Sequence, residues 1–160
     1  MKGGAMKPEV FLKFLEENTG ITPLKFSSDG IISLIFNDNY TVHLKKSEDD
    51  YILTVFGIIG KVPDNDSELC LLNLLDANLF GRGTGTASIG VNVESKEIII
   101  FEKFSFNDLE QIDFVAKLKG FLNTQEHWTT LISSDNAGSV SNANITHQGS
   151  QSLGSPFLKI

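Results

Sequence analysis

Apolar and polar positions alternate along this chain with two different periods. A period near 3.6 residues indicates a helix, and a period of two indicates a strand. Residues 8–18 follow the helical period, opened by Pro8, which suits a first helical turn, and closed by Gly20. Three runs rich in β-branched and aromatic residues, separated by turn formers, follow as predicted strands. These runs are 31–36, 40–45 and 51–59.

The segment 67–80 predicts a second helix, and it carries two apolar stripes. Leu71, Leu72, Leu75 and Leu79 form one stripe, whereas Cys70, Leu74 and Ala77 form the other. A helix on the surface of a single subunit needs one apolar stripe only. We therefore expect the second stripe to meet another subunit, most simply in a symmetric dimer.

Two further strands, at 87–93 and 97–104, read as a hairpin. A third helix is predicted from Asn107, with a capping-box-like Glu110 three residues later, to about residue 131. The helical spacing of Phe114, Phe121 and Trp128 favours core packing over a ligand platform. The order α-β-β-β-α-β-β-α predicts an α+β fold with a five-stranded antiparallel sheet and three helices.

Composition divides the chain into three parts. Residues 1–7 read as a leader or as sequence added for expression, and residues 8–132 as one domain. In residues 133–160, Ser, Asn and Gly supply 13 of 28 positions, which is typical of a linker or tail.

Charge argues against two classes of partner. The chain has 13 basic and 20 acidic residues and a net charge of −7, so it has little with which to build a basic face for nucleic acid or an anionic membrane. One cysteine, Cys70, excludes an internal disulfide. We find neither a secretory signal nor an apolar run long enough for a membrane helix, which predicts a cytoplasmic protein.

Motifs that could carry chemistry are weak. The glycine-rich loop 81–85 follows a helix and precedes a strand, the reverse of a phosphate-binding loop. The acidic segment 64–68 lacks the glycine and glutamate of a calcium loop at the required spacing, and the three histidines lie far apart in sequence. We therefore expect no catalytic residue, metal or cofactor, although sequence leaves open a triad assembled from distant positions.

One segment resembles a known family. Residues 71–104 contain Ala77-Asn78-Leu79-Phe80 at the end of a leucine-rich helix, then a Gly/Thr loop that runs into the strand at Ile89. This pattern resembles the class I type III secretion chaperones, the Tir-chaperone (CesT) family. The order of elements over residues 8–132, the small size, the acidity and the late Trp128 agree with it.

The resemblance implies a cytoplasmic bacterial homodimer that binds the extended N-terminal segment of one or more effector proteins and keeps them secretion-competent. It places the dimer interface on the second helix and the strand after it, at Cys70, Leu71, Leu74, Ala77, Asn78 and Ile89. It places effector binding on the first helix, and the strands around it are further candidates. The effector-binding set is Val10, Phe11, Phe14, Leu15, Ile31, Ile35, Leu53 and Val55. Alternation does not decide which sheet face is open, because both are apolar.

Two hypotheses stay beside this one. The spacing of Leu153, Phe157 and Ile160 resembles the apolar strand motif of an effector, so the tail, native or fused, would lie in a chaperone groove as a ligand or pseudo-ligand. The alternative function is a binding module of the same fold that sequesters a regulatory protein. The genes that neighbour this one would separate the two functions.

Overall fold

The computed structural model describes residues 6–36, 39–106 and 111–135. Its three helices and five strands follow the predicted order, and the α+β prediction is confirmed. The elements are α1 (Pro8–Thr19), β1 (Ile31–Phe36), β2 (Tyr40–Lys46), β3 (Ile52–Lys61), α2 (Ser67–Asn78), a 3₁₀ turn (Leu79–Gly81), β4 (Ser88–Val91), β5 (Glu97–Ser105) and α3 (Gln111–Asp135). The predicted capping box at Asn107 and Glu110 lies outside the described residues, as does the tail from residue 136.

The five strands form one antiparallel sheet in the order β1-β2-β3-β5-β4. β3 and β5 make the longest pairing, from Ile52 opposite Ser105 to Lys61 opposite Glu97, with a bulge between Ile58 and Gly60. β2 and β5 both run antiparallel to β3, so they run in the same direction. β1 and β4 are the edge strands.

The inner face of the sheet carries the core. Alternate side chains from all five strands are buried there, and they include Leu44, Leu53, Val55 and Ile100. Phenylalanines join the helices to this face: Phe11 of α1 meets Phe114 of α3 edge-on, with ring centroids 5.0 Å apart. Phe121 and Trp128 are also buried, as the helical spacing predicts.

α3 approaches β3 closely because two glycines leave room for it. A methyl group at Gly57 would lie 2.3 Å from Nε2 of Gln125, and one at Gly60 would lie 2.5 Å from Cγ2 of Ile132. Gln125 is buried, and its Nε2 donates a hydrogen bond of 3.1 Å to the carbonyl of Thr41. These contacts fix α3 on the inner face, so α3 does not cover the opposite, outer face.

Candidate binding surfaces

The outer face of the sheet consists of the alternate side chains that point away from α1 and α3. None of them is buried, whereas nearly all their neighbours along each strand are. Ile35 is 66% exposed and Ile58 is 45% exposed, although an isoleucine is ordinarily placed in a core. The outer face comprises Ile31, Ser33, Ile35, Thr41, His43, Lys45, Thr54, Phe56, Ile58, Ser88, Gly90, Ile99, Phe101 and Lys103.

Strand register arranges these side chains in three rows that cross the sheet. A basic row holds Ile31, Lys45, Thr54 and Lys103. An aromatic row holds Ser33, His43, Phe56, Phe101 and Ser88. An aliphatic row includes Ile58, Ile99 and Gly90. The three rows therefore change from charged to aliphatic along the strand direction, and the pair of Lys61 and Glu97 lies beyond the aliphatic row.

His43 lies between Ser33 and Phe56 in the aromatic row. Its ring stacks on Phe56, with centroids 4.9 Å apart and planes 28° from parallel, and Nδ1 lies 2.7 Å from Oγ of Ser33. Partial burial lowers the pKa of His43, which favours the neutral imidazole. A neutral ring that is hydrogen-bonded on one side and stacked on the other extends the apolar surface of Phe56.

The edge of β1 presents backbone groups without a strand beside them. The N–H of Ile31 is hydrogen-bonded to Oγ of Ser27, and its carbonyl to the N–H of Ser27, on the side away from β2. Alternate residues of an antiparallel strand direct both backbone groups to the same side. The N–H and C=O of Ser33 and Ile35 therefore also point outward, where an added strand could pair with them.

A second apolar surface lies on α2. Of its two stripes, Leu74 and Ala77 are buried, and Gly83 lies close to both Ala77 and Trp128. The other stripe is exposed and continues into Phe80, which is 93% exposed and has a positive φ of 55°. This leucine surface consists of Leu69, Leu71, Leu72, Leu75, Leu79 and Phe80.

The predicted effector-binding residues divide between core and surface. Phe11, Phe14, Leu15, Leu53 and Val55 are buried in the subunit. Val10 is 48% exposed, Ile35 is 66% exposed and Ile31 is half-buried. The sequence of β2 distinguishes exposed from buried positions. Within residues 40–45, polar Thr41, His43 and Lys45 alternate with apolar Val42 and Leu44. Strand pairing carries that alternation across the sheet and places on the outer face further residues that are absent from the predicted set: Lys45, Phe56, Ile58, Ile99, Phe101 and Lys103.

The predicted interface residues divide in the same way. Leu74, Ala77 and Ile89 are buried within the single chain, Cys70 and Asn78 are half-buried, and Leu71 is 38% exposed. The leucine surface, to which Leu71 belongs, lies on the stripe of the same helix that does not contain Leu74 and Ala77. The predicted tail ligand, Leu153, Phe157 and Ile160, lies outside the described residues.

Residues 6–36, 39–106 and 111–135 contain neither a cluster of metal-ligating side chains nor a membrane-spanning helix. No group of three or more His, Cys, Asp or Glu side chains is placed there to hold a metal ion. No helix in those ranges combines the length and apolar character needed to cross a membrane.

A small α+β domain with an open sheet face, a free strand edge and an exposed leucine surface is organised for binding other polypeptides. The chain belongs to the Tir chaperone protein (CesT) family, whose model matches residues 10–129. The resemblance seen in residues 71–104 is thereby confirmed.

Individual relatives agree with this assignment. A Chlamydia pneumoniae protein is 28% identical over 121 residues, which are 75% of this chain and 92% of that one. The Tir chaperone of Citrobacter freundii is 23% identical over 103 residues, 64% of this chain and 65% of that protein, so the match spans slightly less than two thirds of its length.

Solved structures share the fold. The HopA1–SchA chaperone–effector complex contains a chain with a TM-score of 0.62 at 16% identity, and the match covers 76% of this chain and 92% of that one. The ExsC–ExsE complex gives a TM-score of 0.61 at 18% identity, with coverage of 76% and 90%.

Proposed function

We propose that this protein is a type III secretion chaperone that binds the extended N-terminal segment of an effector and keeps it soluble and secretion-competent. The observation that carries the proposal is the outer face of the sheet, where Ile35, Phe56, Ile58 and Phe101 are at least partly exposed and which is bordered by the open edge of β1. Family membership supports the same function, and one similar structure is described as a chaperone–effector complex.

The β1 edge and the outer face suit an extended client. A client strand beside β1 would pair with the outward N–H and C=O groups of Ser33 and Ile35, as in other cases of strand addition. Covering an exposed Ile or Phe side chain contributes about 1.5–3 kcal/mol, so a few contacts on this face are enough for useful affinity. Binding of this kind needs neither a covalent step nor a cofactor, and we propose that the chain acts without either.

The net negative charge of the protein is expected to keep it soluble although apolar side chains are exposed. The net charge of −7 sets up repulsion between free copies of the protein, while Ile35 and Ile58 remain exposed on the outer face. Exposed apolar patches of this kind mark interaction sites when the protein stays in solution. The combination fits a chaperone that is held in the bacterial cytoplasm until a client arrives.

We further propose that a second copy of the chain covers the leucine surface of α2. Leu75, 65% exposed, and Phe80, 93% exposed, would be costly to leave in water on a permanent monomer. The surface continues on the same helix from the predicted interface residues Leu71 and Cys70. A two-fold contact between two α2 helices would bury identical stripes on both subunits.

The domain boundaries keep their predicted positions in this proposal. Residues 8–132 would form the chaperone domain, with residues 1–7 as a leader or as sequence added for expression and residues 133–160 as the tail. Whether Leu153, Phe157 and Ile160 occupy the client site stays a prediction.

Co-expression tests the function. The wild-type protein is co-expressed with N-terminal segments of candidate effectors, and the mass of the complex is measured by light scattering. Ile35→Asp should weaken client binding at least tenfold, because it places a carboxylate between the outer face and the β1 edge. Val93→Asp is the control, since Val93 is 87% exposed and lies in the turn after β4.

The outcomes are distinct. Equal binding by wild type and Ile35→Asp would contradict the assigned surface while leaving a chaperone role intact. If the wild type binds no effector segment, the proposed function itself is wrong.

A further inference from the structure

We propose that Lys45 and Lys103 select clients whose bound segment has an acidic end followed by alternating apolar residues, and that the two lysines set the direction in which the segment lies. This inference rests on the proposed function. It concerns the outer face, where two lysines lie at one end of a surface that also carries isoleucine, phenylalanine, serine and threonine side chains.

The register brings the two lysines together. Lys45 of β2 lies opposite Thr54 of β3, and Thr54 lies opposite Lys103 of β5. Strands are spaced about 4.8 Å apart, so the two lysine Cα atoms are separated by about 10 Å. Their flexible side chains can converge on one carboxylate above Thr54. Both lie near the same end of the sheet, because β2 and β5 run in the same direction.

Neither lysine is engaged elsewhere in the described ranges. Within them the ion pairs join Lys46 to Asp50, Arg82 to Asp76 and Lys96 to Asp64, and none includes Lys45 or Lys103. Both side chains are exposed. A free pair of positive charges therefore lies on the face best suited to a client, in a chain whose net charge is −7.

The opposite end of the face carries one charge of each sign, because Glu97 of β5 lies directly opposite Lys61 of β3. Glu97 begins β5 with the same strand parity as Lys103, six residues away, which corresponds to about 20 Å along a strand. Oγ of Ser95 donates a hydrogen bond of 2.9 Å to its carboxylate. An acidic side chain is therefore attracted more strongly to the pair of lysines than to the end that holds Glu97 and Lys61, so the face distinguishes the two orientations of a bound segment.

Edge protection does not account for these lysines. Lysines often guard the edges of sheets against pairing, but β2 and β5 are interior strands of this sheet. The aromatic row lies directly beside the basic row, with Phe56 and Phe101 two residues from Thr54 and Lys103. A client that covers the phenylalanines also excludes water near the lysines, which strengthens their attraction for a carboxylate.

Designed peptides test the inference with the full-length protein. The acidic probe is a fluorescein-labelled decapeptide with two aspartates, followed by isoleucines that alternate with serines. In the second and third probes the aspartates are replaced by asparagines or by lysines. Fluorescence anisotropy in low salt should show the acidic probe binding at least tenfold more tightly than the lysine probe, and 0.5 M NaCl should reduce that ratio to about threefold or less.

Variants of the lysines supply the decisive comparison. Lys45→Glu/Lys103→Glu should reverse the preference, and Lys45→Gln/Lys103→Gln should abolish it without placing new acidic groups on the sheet. Lys25→Glu/Lys119→Glu has the same net charge as the first variant but changes exposed positions outside the strands, so it should keep the preference for the acidic probe.

Failure of the inference and failure of the proposed function give different results. Two results would overturn the inference while effector segments still bind. In one, the three probes bind equally well to wild type and to both lysine variants. In the other, none of the three probes binds. If neither probes nor effector segments bind, the proposed function fails as well.

Discussion

The side-chain amide of Asn78 makes two hydrogen bonds with the backbone of Ile89. Nδ2 donates to the carbonyl of Ile89 and Oδ1 accepts from its N–H, each at 2.8 Å. The amide thus takes the position that a neighbouring strand would occupy beside β4. One side chain at the end of α2 both anchors that helix to the sheet and satisfies the backbone of an edge residue.

Asn78→Ala should destabilise the subunit. It removes both hydrogen bonds and leaves the N–H and C=O of buried Ile89 without partners, at a cost of about 1–3 kcal/mol in the free energy of unfolding. Urea denaturation followed by circular dichroism measures the change. Asn92→Ala serves as the comparison, because Asn92 is exposed and bonds only within its own turn. Equal losses in the two variants would contradict a special role for Asn78.

Gly57→Ala should also destabilise the fold, for a steric reason. The added methyl would lie 2.3 Å from Nε2 of buried Gln125, so α3 or the amide must move, and overpacking of this kind costs about 1–3 kcal/mol. Gln125→Ala removes the obstructing amide. The double variant should therefore be more stable than the sum of the two single effects predicts, by about 1 kcal/mol or more. Simple additivity in urea unfolding would exclude the contact as the cause.

Leu75→Asp should convert a dimer into a monomer. Leu75 is 65% exposed in the isolated subunit, so the substitution costs little there, but in the proposed interface it would bury an unpaired carboxylate. The dissociation constant should rise at least 100-fold, measured by sedimentation equilibrium. Val93→Asp should leave it unchanged. A wild-type protein that is monomeric at all concentrations would contradict the proposed interface.

The free energy of unfolding should decrease as the pH falls below about 6.5, because of His43. Burial lowers the pKa of His43 in the folded protein below its unfolded value near 6.5. Above pH 6.5 both states are neutral and the imidazole has no effect. As pH falls below 6.5 the unfolded state takes up the proton first, so stability decreases until the folded pKa is passed.

His43→Asn removes this titration. The difference in unfolding free energy between wild type and the variant should therefore change between pH 7 and pH 5, with the wild type losing more stability. A constant difference across that range would show that His43 is not responsible.

Much of the fold could be predicted from local pattern. Residues 31–36 and 97–104 carry strand formers between turn formers, and the structure ends each strand within one or two residues of the prediction. The long helix around Phe114 and Phe121 followed from their spacing. Local preference was sufficient here because turns, strands and helices in this chain agree with the tertiary packing.

The sequence pattern did not show which face of the sheet is open. In β5 both parities are apolar, with Ile98 and Ile100 buried and Ile99 and Phe101 half-exposed, so hydrophobicity alone does not separate them. Which face is covered depends on where α3 lies. A glycine within a strand is a recognised sign of close backbone approach, and Gly57 marks the covered face in this way.

The two edges of the sheet differ in a way that bears on aggregation. At β4 the Asn78 amide already occupies the backbone of Ile89, whereas at β1 Ser33 and Ile35 remain open to an added strand. Fibril growth by edge pairing requires two free edges, so that each added copy offers a new one. A subunit with one free edge can pair once and then stop. The same asymmetry that leaves β1 available to a client thus limits runaway polymerisation of the empty protein.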